Sequence, residues 1–340
     1  MLTNRLLLFV LISCFLSSCF LSRAVWAGAE FSDEPVDEII HPEWFKQSFL
    51  VLKDDIADAK DEGKTGIIVF FGQAHCAYCK ALITNDFGDA DIAQYTQKHF
   101  DVVALDIYGN RMVTGVRGPE LSEHDFANQL KAELTPTLDF YTTDNKLVFR
   151  MRGYYPPEKF KAALQYVVGK HYQTQGFRDY LKSEKNALHV AGIKKESSNL
   201  FLAPPYKLDR SQSIADKPLL VLFEKGECET CQQLHDDTLN KADVQKLLRQ
   251  FDAVQLDMWS DTEVITPSGE KQTAVEWAEN LGLFYAPTIV FFDESGSEIY
   301  RIDSVVKLRR LSGILHYILS GDYTDEPNYE NWKVKQNGKK

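Results

Sequence analysis

Hydrophobic and polar positions along the chain alternate between helix-like and strand-like spacing. Residues 43–62 place apolar side chains at intervals close to one helical turn, and residues 65–71 form a continuous run of β-branched and aromatic side chains. The first pattern predicts an amphipathic helix, and the second, which is bounded by glycine, predicts a buried central strand. We therefore expect a helix over 43–62 that leads into a strand over 65–71.

The rest of the first half continues as helices and strands in turn. The predicted elements are a helix over 76–85, a helix over 91–99, a strand over 100–107, a glycine-bearing excursion over 108–120, a helix over 122–133, strands over 138–142 and 146–151, and a closing helix over 157–171. This order predicts an α/β fold in which helices flank a central mixed β-sheet.

The second half of the chain repeats this plan. Equivalent positions are separated by 151 or 152 residues, namely Cys76 and Cys228, Cys79 and Cys231, Asp106 and Asp257, Pro136 and Pro287, and Arg150 and Arg301. A constant offset over so many positions is typical of an internal duplication. The sequence therefore predicts two tandem domains of the same fold.

Changes in composition predict the boundaries of these domains. Residues 184–217 contain a lysine-rich stretch and a proline pair, which are typical of a linker. We assign residues 30–183 to domain 1 and residues 218–340 to domain 2, and we expect a short edge strand of domain 2 within 200–208. The repeat extends past the closing helix, so we expect the tail from residue 323 to pack as a C-terminal appendage.

Residues 1–29 have the pattern of an export signal peptide. A basic residue precedes the apolar run Leu6–Phe20, and Ala27–Ala29 fits a small-residue cleavage site. The run is short for a membrane span and is soon followed by polar sequence. We therefore expect a periplasmic protein. The alternative is a membrane-anchored lipoprotein, because the residues that end at Cys19 also resemble a bacterial lipoprotein box.

Composition limits the class of partner and the state of the thiols. The 340 residues are 44% hydrophobic, which suits ordinary globular cores. The net charge of −11 argues against nucleic acid or an anionic membrane surface as the main partner. Contact with the membrane is expected only if the protein is the alternative lipoprotein, through a lipid anchor at Cys19. Once the signal is removed, the chain keeps four cysteines in two Cys-x-x-Cys pairs, as an oxidising compartment favours.

Each cysteine pair opens a predicted helix directly after a predicted strand. Free N–H groups and the positive end of the helix dipole stabilise a thiolate at such a position. The first cysteine, Cys76 or Cys228, is expected to be the exposed nucleophile, and the second, Cys79 or Cys231, is expected to resolve the mixed disulfide. Because the cysteine pairs carry the electrons, we expect redox-active disulfides without a bound cofactor.

Four short motifs accompany the repeated pattern. They are Cys76–Cys79 (CAYC), Cys228–Cys231 (CETC), Thr135-Pro136-Thr137 and Ala286-Pro287-Thr288. Together they resemble the thioredoxin superfamily. The resemblance implies two tandem thioredoxin-like domains in which each proline is cis and faces its cysteine pair. It also implies that the backbone of the residue before the proline pairs with a substrate peptide.

Domain 1 resembles more specifically the exported thioredoxin-like proteins of the SoxW type. The likeness lies in Phe71–Cys79 (FGQAHCAYC), in Trp44 and Lys64 ahead of it, and in the stretch 106–135. Thioredoxins proper carry a buried aspartate six residues before the first cysteine.

Both domains depart from the thioredoxin pattern at the position of this aspartate, six residues before the first cysteine. Phe70 stands there in domain 1 and Leu222 in domain 2, so the buried proton acceptor is missing from both. Domain 2 also lacks the Gly153–Pro157 loop and has Ser304–Leu308 in its place. We therefore expect domain 1 to present the substrate-facing site, and domain 2 to act as an electron relay or to be drifting from catalysis.

Several residues near the pairs are candidates for substrate binding. They are His75, Tyr78, Thr135, Pro136, Ala286 and Pro287. His75 either favours the thiolate of the adjacent cysteine or is a solvated loop residue. His235, one turn beyond the second pair, is expected to be a surface residue.

The expected function is thiol–disulfide exchange of a reductase or isomerase type. The expected substrates are thiols and disulfides of exported proteins, peptides or small molecules, with a further protein as redox partner. One alternative is a non-catalytic thioredoxin-fold binding or scaffold protein, above all for domain 2, and another is a purely structural role for the disulfides. A four-cysteine zinc site is disfavoured, because 148 residues separate Cys79 from Cys228 and each pair belongs to its own repeat.

Overall fold

The computed structural model of the chain describes residues 31–132, 134–184 and 200–337. The predicted signal peptide over 1–29 and residues 185–199 of the predicted linker lie outside these residues. Among the helices of the described ranges, none has both the length and the apolar character that crossing a bilayer would take.

Domain 1 contains a four-stranded sheet, a small hairpin and six α-helices. Its elements are α1 (Leu52–Asp61), β1 (Gly66–Gly72), α2 (Ala77–Ala81), α3 (Ala90–His99), β2 (Phe100–Asp106), β3 (Met112–Thr114), β4 (Glu120–Ser122), α4 (Glu123–Gln129), β5 (Thr137–Thr142), β6 (Leu147–Arg152), α5 (Pro157–Val168) and α6 (Phe177–Glu184). The strand order is β2-β1-β5-β6, with β1 parallel to β2 and antiparallel to β5. The predicted mixed sheet is therefore confirmed.

Strand β1 is the centre of domain 1 because both of its faces are buried. No position of its sequence GIIVFFG is exposed, and side chains of a strand point alternately to its two faces. Ile68 and Phe70 join a core with residues of α3 and α5, whereas Ile67, Val69 and Phe71 join a second core with residues of α1 and α4. The continuous apolar run in the sequence is thus explained by burial of both faces of the strand.

Two of the predicted helices are wrong in part. The helix expected over 43–62 begins only at Leu52, because Leu50 has a positive φ of 62° that a right-handed helix cannot contain. The segment before it instead makes backbone hydrogen bonds to β2 and β3. The helix expected over 122–133 is also shorter, and Lys131 just beyond its end has a positive φ of 53°.

Domain 2 repeats the sheet of domain 1. Its elements are β7 (Tyr206–Lys207), β8 (Leu219–Glu224), α7 (Glu229–Leu234), α8 (Ala242–Leu248), β9 (Asp252–Asp257), β10 (Glu263–Ile265), β11 (Lys271–Thr273), α9 (Ala274–Asn280), β12 (Thr288–Phe292), β13 (Glu298–Ile302), α10 (Leu308–Leu319) and α11 (Tyr329–Asn337). The order β9-β8-β12-β13 matches β2-β1-β5-β6. The segment between β7 and β8 is not helical, so domain 2 has no counterpart of α1 within the part of the chain that the structure describes.

The two domains meet through the loops that follow β6 and β13. The N–H of Val305 donates to the carbonyl of Tyr154 over 2.9 Å. A Cβ on Gly153, whose φ is +83°, would collide with Ser304 Oγ, so the close approach of the two loops requires glycine. Tyr285 of domain 2 is buried within the core of domain 1. The loop expected to face substrate in domain 1 is therefore buried against domain 2.

Each domain also extends its last helix toward the other domain. From α6, Arg178 Nη1 donates to the carbonyl of Leu283 over 2.8 Å. Just before α11, Asn328 Nδ2 donates to Asn128 Oδ1 over 3.1 Å. Arg178 of α6 and Glu330 of α11 are 152 residues apart, so they occupy equivalent positions of the repeat. The domains thus pack in an approximately two-fold arrangement.

Candidate active sites

Each cysteine pair lies where the central strand of its domain leads into a helix. Cys76 precedes α2 and Cys228 precedes α7 as the N-cap residue. Both pairs are disulfides with Cα atoms 5.2 Å apart. The first sulfur accepts the N–H of the second cysteine, at 3.0 Å from Cys79 and 3.1 Å from Cys231. This donor would also stabilise a thiolate at the first cysteine.

A cis proline faces each pair, as the resemblance implied. The Thr135–Pro136 and Ala286–Pro287 peptide bonds are both cis. Thr135 Oγ1 lies 3.4 Å from the Sγ of the first cysteine in domain 1, and the carbonyl oxygen of Ala286 lies 3.6 Å from its counterpart in domain 2. The structure thus places all four of these candidate residues in the two sites.

The two first cysteines differ in exposure. Cys76 is only 3% exposed, so the expectation of an exposed nucleophile is wrong for domain 1. Cys228 is half-buried and fits that expectation better. The second cysteines, Cys79 and Cys231, are both buried. Domain 2 contacts both neighbours of Cys76 in the site, namely Tyr78 and the proline loop.

Tyr78 is held by domain 2 rather than open to solvent. Its hydroxyl accepts the N–H of Lys307 at 2.8 Å and donates to Asp33 at 3.3 Å. The guanidinium of Arg310 lies 3.5 Å above its ring, a cation–π contact. Burial raises the pKa of Tyr78 above its ordinary value. This candidate substrate residue therefore joins the two domains.

Arg310, at the start of α10, also reaches the proline loop of domain 1. Its Nη2 donates to the carbonyl of Thr135 over 2.8 Å. Gln73 Nε2 donates to the hydroxyl of the same threonine over 2.7 Å and lies 3.2 Å from Glu330 Oε2. The resemblance assigned the backbone of Thr135 to a substrate peptide, and its carbonyl already accepts a hydrogen bond from a side chain of domain 2. No local sequence pattern indicates this role, because Arg310 lies 175 residues from Thr135.

His75 is exposed, and its Nδ1 lies 3.0 Å from the carbonyl oxygen of Val36. It therefore occupies the position of a loop residue next to Cys76. Its ring is anchored to the N-terminal segment, and it remains near enough to line the opening of the site.

At the second site, the residue before the proline is hydrogen-bonded within its own domain. Thr230, within the CETC motif, donates its hydroxyl hydrogen to the carbonyl of Ala286 over 2.9 Å, so this carbonyl too is occupied. Tyr285 next to it is buried, and burial raises the pKa of its hydroxyl. Glu227, just before Cys228, has a positive φ of 49°.

A buried polar network lies beside the second site. Glu224, at the end of β8, accepts a hydrogen bond from Gln255 at 2.6 Å, and its other oxygen lies 2.9 Å from His235 Nε2. All three side chains are buried. The expectation that His235 is a surface residue is therefore wrong. Glu224 was not singled out from the sequence, and the signal that could have identified it is its position on β8, two residues after Leu222 and therefore on the same face of the strand.

Asp86 is a buried carboxylate beside the first site. It ends the single π-helical turn, Leu82–Asp86, that continues α2. Neither of its oxygens has a hydrogen-bond partner within the described ranges. Burial raises the pKa of Asp86 well above its ordinary value, and the nearby Glu158 raises it further. Asp86 was not singled out by the sequence pattern, in which it resembles any polar residue after a short helix.

The fold and the two sites define a tandem pair of thioredoxin-type domains, each with a cysteine pair at a helix start and a cis proline facing it. The family model for a thioredoxin-like domain matches residues 52–168 and 210–319. The chain therefore belongs to the thioredoxin-like domain family. A search of curated proteins finds no match.

Solved structures of low sequence identity are also similar. A thioredoxin-fold protein from Helicobacter pylori is 21% identical over 41% of this chain and 87% of its own, with a TM-score of 0.33. A thioredoxin from Thermus thermophilus is 21% identical over 38% of this chain and 90% of its own, with a TM-score of 0.30. The C-terminal domain of DsbD from Neisseria meningitidis is 18% identical over 30% of this chain and 80% of its own, with a TM-score of 0.24.

Proposed function

We propose that the protein is a thiol–disulfide oxidoreductase with two reaction centres. The observation that carries this proposal is the pair of cysteine sites, in each of which the first sulfur accepts an N–H at a helix start and faces a cis proline. A thiolate of Cys76 or Cys228 attacks a substrate disulfide and releases one thiolate. Cys79 or Cys231 then attacks the mixed disulfide and releases the second substrate thiolate.

Reduction of insulin disulfides tests this function. The pre-reduced protein, supplied with excess dithiothreitol, is expected to speed insulin reduction over dithiothreitol alone. Cys228→Ser should abolish the share due to the half-buried second centre by several orders of magnitude, as removal of a nucleophile does, and Cys76→Ser should remove only the smaller share of the buried first centre. The double variant should have no activity above the background rate.

A trapping experiment checks the order of the two sulfurs. Cys79→Ser and Cys231→Ser leave the attacking cysteine but remove the resolving one, so each should accumulate a mixed disulfide that gel electrophoresis detects under non-reducing conditions. Absence of both turnover and trapped adducts would leave the protein without the proposed activity.

The setting of this reaction is proposed on the sequence pattern. We infer an exported, periplasmic protein, with lipid anchoring at Cys19 as the alternative, and a further protein that exchanges electrons with it. The proposal includes SoxW-type kinship for domain 1 and needs no bound cofactor. Reductase and isomerase activity would share this chemistry, and the reduction potentials of the two pairs, measured in glutathione buffers, distinguish them.

A non-catalytic binding role is the second candidate. The observation that favours it is the near-complete burial of Cys76 beneath domain 2. A scaffold of this kind would bind its partner equally well after Cys76→Ser and Cys228→Ser, whereas an oxidoreductase would lose turnover.

A further inference from the structure

We propose that the cysteine pair of domain 1 exchanges electrons with small thiols and disulfides that carry carboxylates, which bind in a pocket formed by both domains. This inference rests on the proposed thiol–disulfide exchange and specifies its substrate class at one of the two centres. It follows from the shape of the pocket, from the occupied proline loop and from one unpaired nitrogen, Nη1, of a buried guanidinium.

The pocket opens directly onto Cys76. It has a volume of about 450 Å³ and is lined on one side by residues of domain 1, including Gln73 and His75. The opposite side comes from domain 2, including Arg310 of α10 and Trp332 of α11. This volume lies in the range of small-molecule sites. By contrast, the recess beside the second pair, between Thr230 and Pro287, holds only about 10 Å³.

An extended protein chain fits the first site poorly. Pairing with such a chain would use the carbonyl of Thr135, which already accepts a hydrogen bond from Arg310. Cys76 is also only 3% exposed, so a disulfide on the surface of a folded protein cannot approach its sulfur closely. A small molecule that enters the pocket avoids both obstacles.

Arg310 lines this pocket, and one of its guanidinium nitrogens is a buried donor without a partner in the part of the chain that the structure describes. Its side chain is 7% exposed, yet Nη1 has no hydrogen-bond partner within the described residues. A buried donor without a partner is unfavourable, and a carboxylate is the group that best satisfies a guanidinium. The unused Nη1 therefore favours an anionic ligand next to Cys76.

The acidic groups near the pocket are already paired. Asp33 Oδ2 accepts the backbone N–H of Arg310 at 2.9 Å, and Glu34 forms an ion pair with Arg309 at 2.8 Å. Glu330, whose Oε1 is 4.0 Å from Arg310 Nη2, forms an ion pair with Lys333 through its other oxygen. None of these carboxylates is hydrogen-bonded to Nη1 of Arg310.

The reaction in the direction of thiol oxidation is balanced by two substrate thiols. A first thiolate attacks Sγ of Cys76, forms a mixed disulfide and releases Cys79 as a thiolate. A second thiolate attacks the substrate sulfur of the mixed disulfide and releases Cys76 as a thiolate. Two electrons pass to the cysteine pair, and the substrate leaves as its disulfide. Reduction of a small disulfide by the dithiol follows the same steps in reverse.

The test compares thiols of different charge on the full-length protein in its disulfide form. Glutathione supplies carboxylates, 2-mercaptoethanol is neutral and cysteamine is cationic. Rapid alkylation followed by peptide mass spectrometry gives the reduction rate of each cysteine pair in the same sample. The second pair is the internal reference, because it corrects for the intrinsic reactivity of each thiol.

The expected result is a charge preference confined to the first pair. The rate ratio of glutathione to cysteamine should be about tenfold higher at Cys76–Cys79 than at Cys228–Cys231, which is the effect of one charge-assisted hydrogen bond. Arg310→Met, which keeps an apolar stem over Tyr78, should remove that preference. Arg249→Met, at an exposed position away from both sites, should preserve it.

Other variants and outcomes keep the proposal separate from the proposed function. Lys333→Met, at a partly exposed position of the pocket, should lower the preference for glutathione a few-fold, as loss of a partly screened charge does. An unchanged reduction rate at the second pair shows that each variant is folded. If neither pair reacts with any thiol, the proposed function itself fails. If the three thiols have the same relative rates at both pairs, the proposed thiol–disulfide exchange is retained and the proposed substrate class is overturned.

Discussion

Asp86 and Glu224 are buried carboxylates in unlike surroundings, each next to a helix that carries a cysteine pair. Glu224 is hydrogen-bonded by His235 and Gln255, whereas Asp86 has no partner among the described residues. Burial penalises the ionised form, and only hydrogen bonds or opposite charges offset this. Asp86 is therefore held as a neutral carboxylic acid over a wider pH range than an exposed aspartate.

The pH dependence of stability should reveal this state of Asp86. Because its folded pKa is raised above the ordinary 3.8, the folded chain holds a proton that the unfolded chain has lost. The stability linked to that proton is fully present below the unfolded pKa and is lost as pH rises through the folded pKa. Relative to Asp86→Asn, the wild type should lose about 1.4 kcal/mol per pH unit between the two values.

Urea unfolding of both proteins from pH 4 to pH 8 measures this difference. Asp91→Asn is the matched control, because Asp91 is exposed on α3 and should show no such slope. A difference between wild type and Asp86→Asn that stays constant with pH would mean that Asp86 ionises normally.

At the same scale, the sequence predicted the cysteines and prolines but not the residues that complete their sites. Cysteine pairs and X–Pro bonds have fixed local chemistry, so spacing alone identifies them. Arg310 has no such local mark, because it acts on a carbonyl 175 residues away and otherwise resembles a helix surface residue. Its role depends on how the two domains pack.

Equivalent elements of the repeat have kept their place but changed their partners. Arg150 on β6 forms a bidentate pair with Asp139 of β5, which is fully buried. Its equivalent Arg301 on β13 pairs instead with Glu298, which is 33% exposed. Both arginines also donate to a backbone carbonyl that precedes the proline loop. In both domains an arginine thus holds the segment before the proline loop. Its carboxylate partner is buried in domain 1 and partly exposed in domain 2.

Removing each arginine should therefore have unequal effects on stability. Arg150→Met leaves Asp139 buried without a counter-ion and should lower the free energy of unfolding by about 3–5 kcal/mol. Arg301→Met breaks a partly exposed pair and should cost about 1 kcal/mol. Chemical unfolding followed by circular dichroism measures both, and Arg249→Met controls for loss of a positive charge. Equal losses of unfolding free energy in the two variants would show that burial of the ion pair does not change its contribution to stability.

Element patterns explain which parts of the fold were predictable. The sheet strands were found because a continuous apolar run of this length has few alternatives once flanked by glycine. The first half of the helix over 43–62 was wrong, because the same apolar spacing also suits an extended segment that packs beside β2. The positive φ of Leu50 decides between them, and no local rule assigns that conformation to leucine.

At the scale of the whole molecule, the domains cover each other's sites unequally. The two-fold packing places Arg310 and Lys307 of domain 2 over Tyr78 of domain 1. Cys76 is buried, while Cys228 is half-buried. The sequence could predict two similar domains, but it could not predict this asymmetry, because the interface is formed by residues that are ordinary within each domain.

Reagents of different size should detect this asymmetry in the reduced protein. N-ethylmaleimide and a polyethylene-glycol maleimide share one reaction, so the ratio of the rates at Cys228 and Cys76 cancels differences in intrinsic reactivity. The ratio should be several-fold higher for the large reagent, because domain 2 hinders its approach to Cys76. Peptide mass spectrometry of the unmodified fraction gives both rates.

A pair of glycine variants links this size effect to the domain interface. Gly153→Ala places a Cβ where it would collide with Ser304 of domain 2, whereas at Gly63, which also has a positive φ, a Cβ would meet no atom within 4 Å. Both changes carry the cost of a positive φ, but only Gly153→Ala forces the domains apart. We expect Gly153→Ala to reduce the size ratio toward that of the small reagent, and Gly63→Ala to leave it unchanged. A ratio that does not depend on reagent size in the wild type would mean that domain 2 does not cover Cys76 in solution.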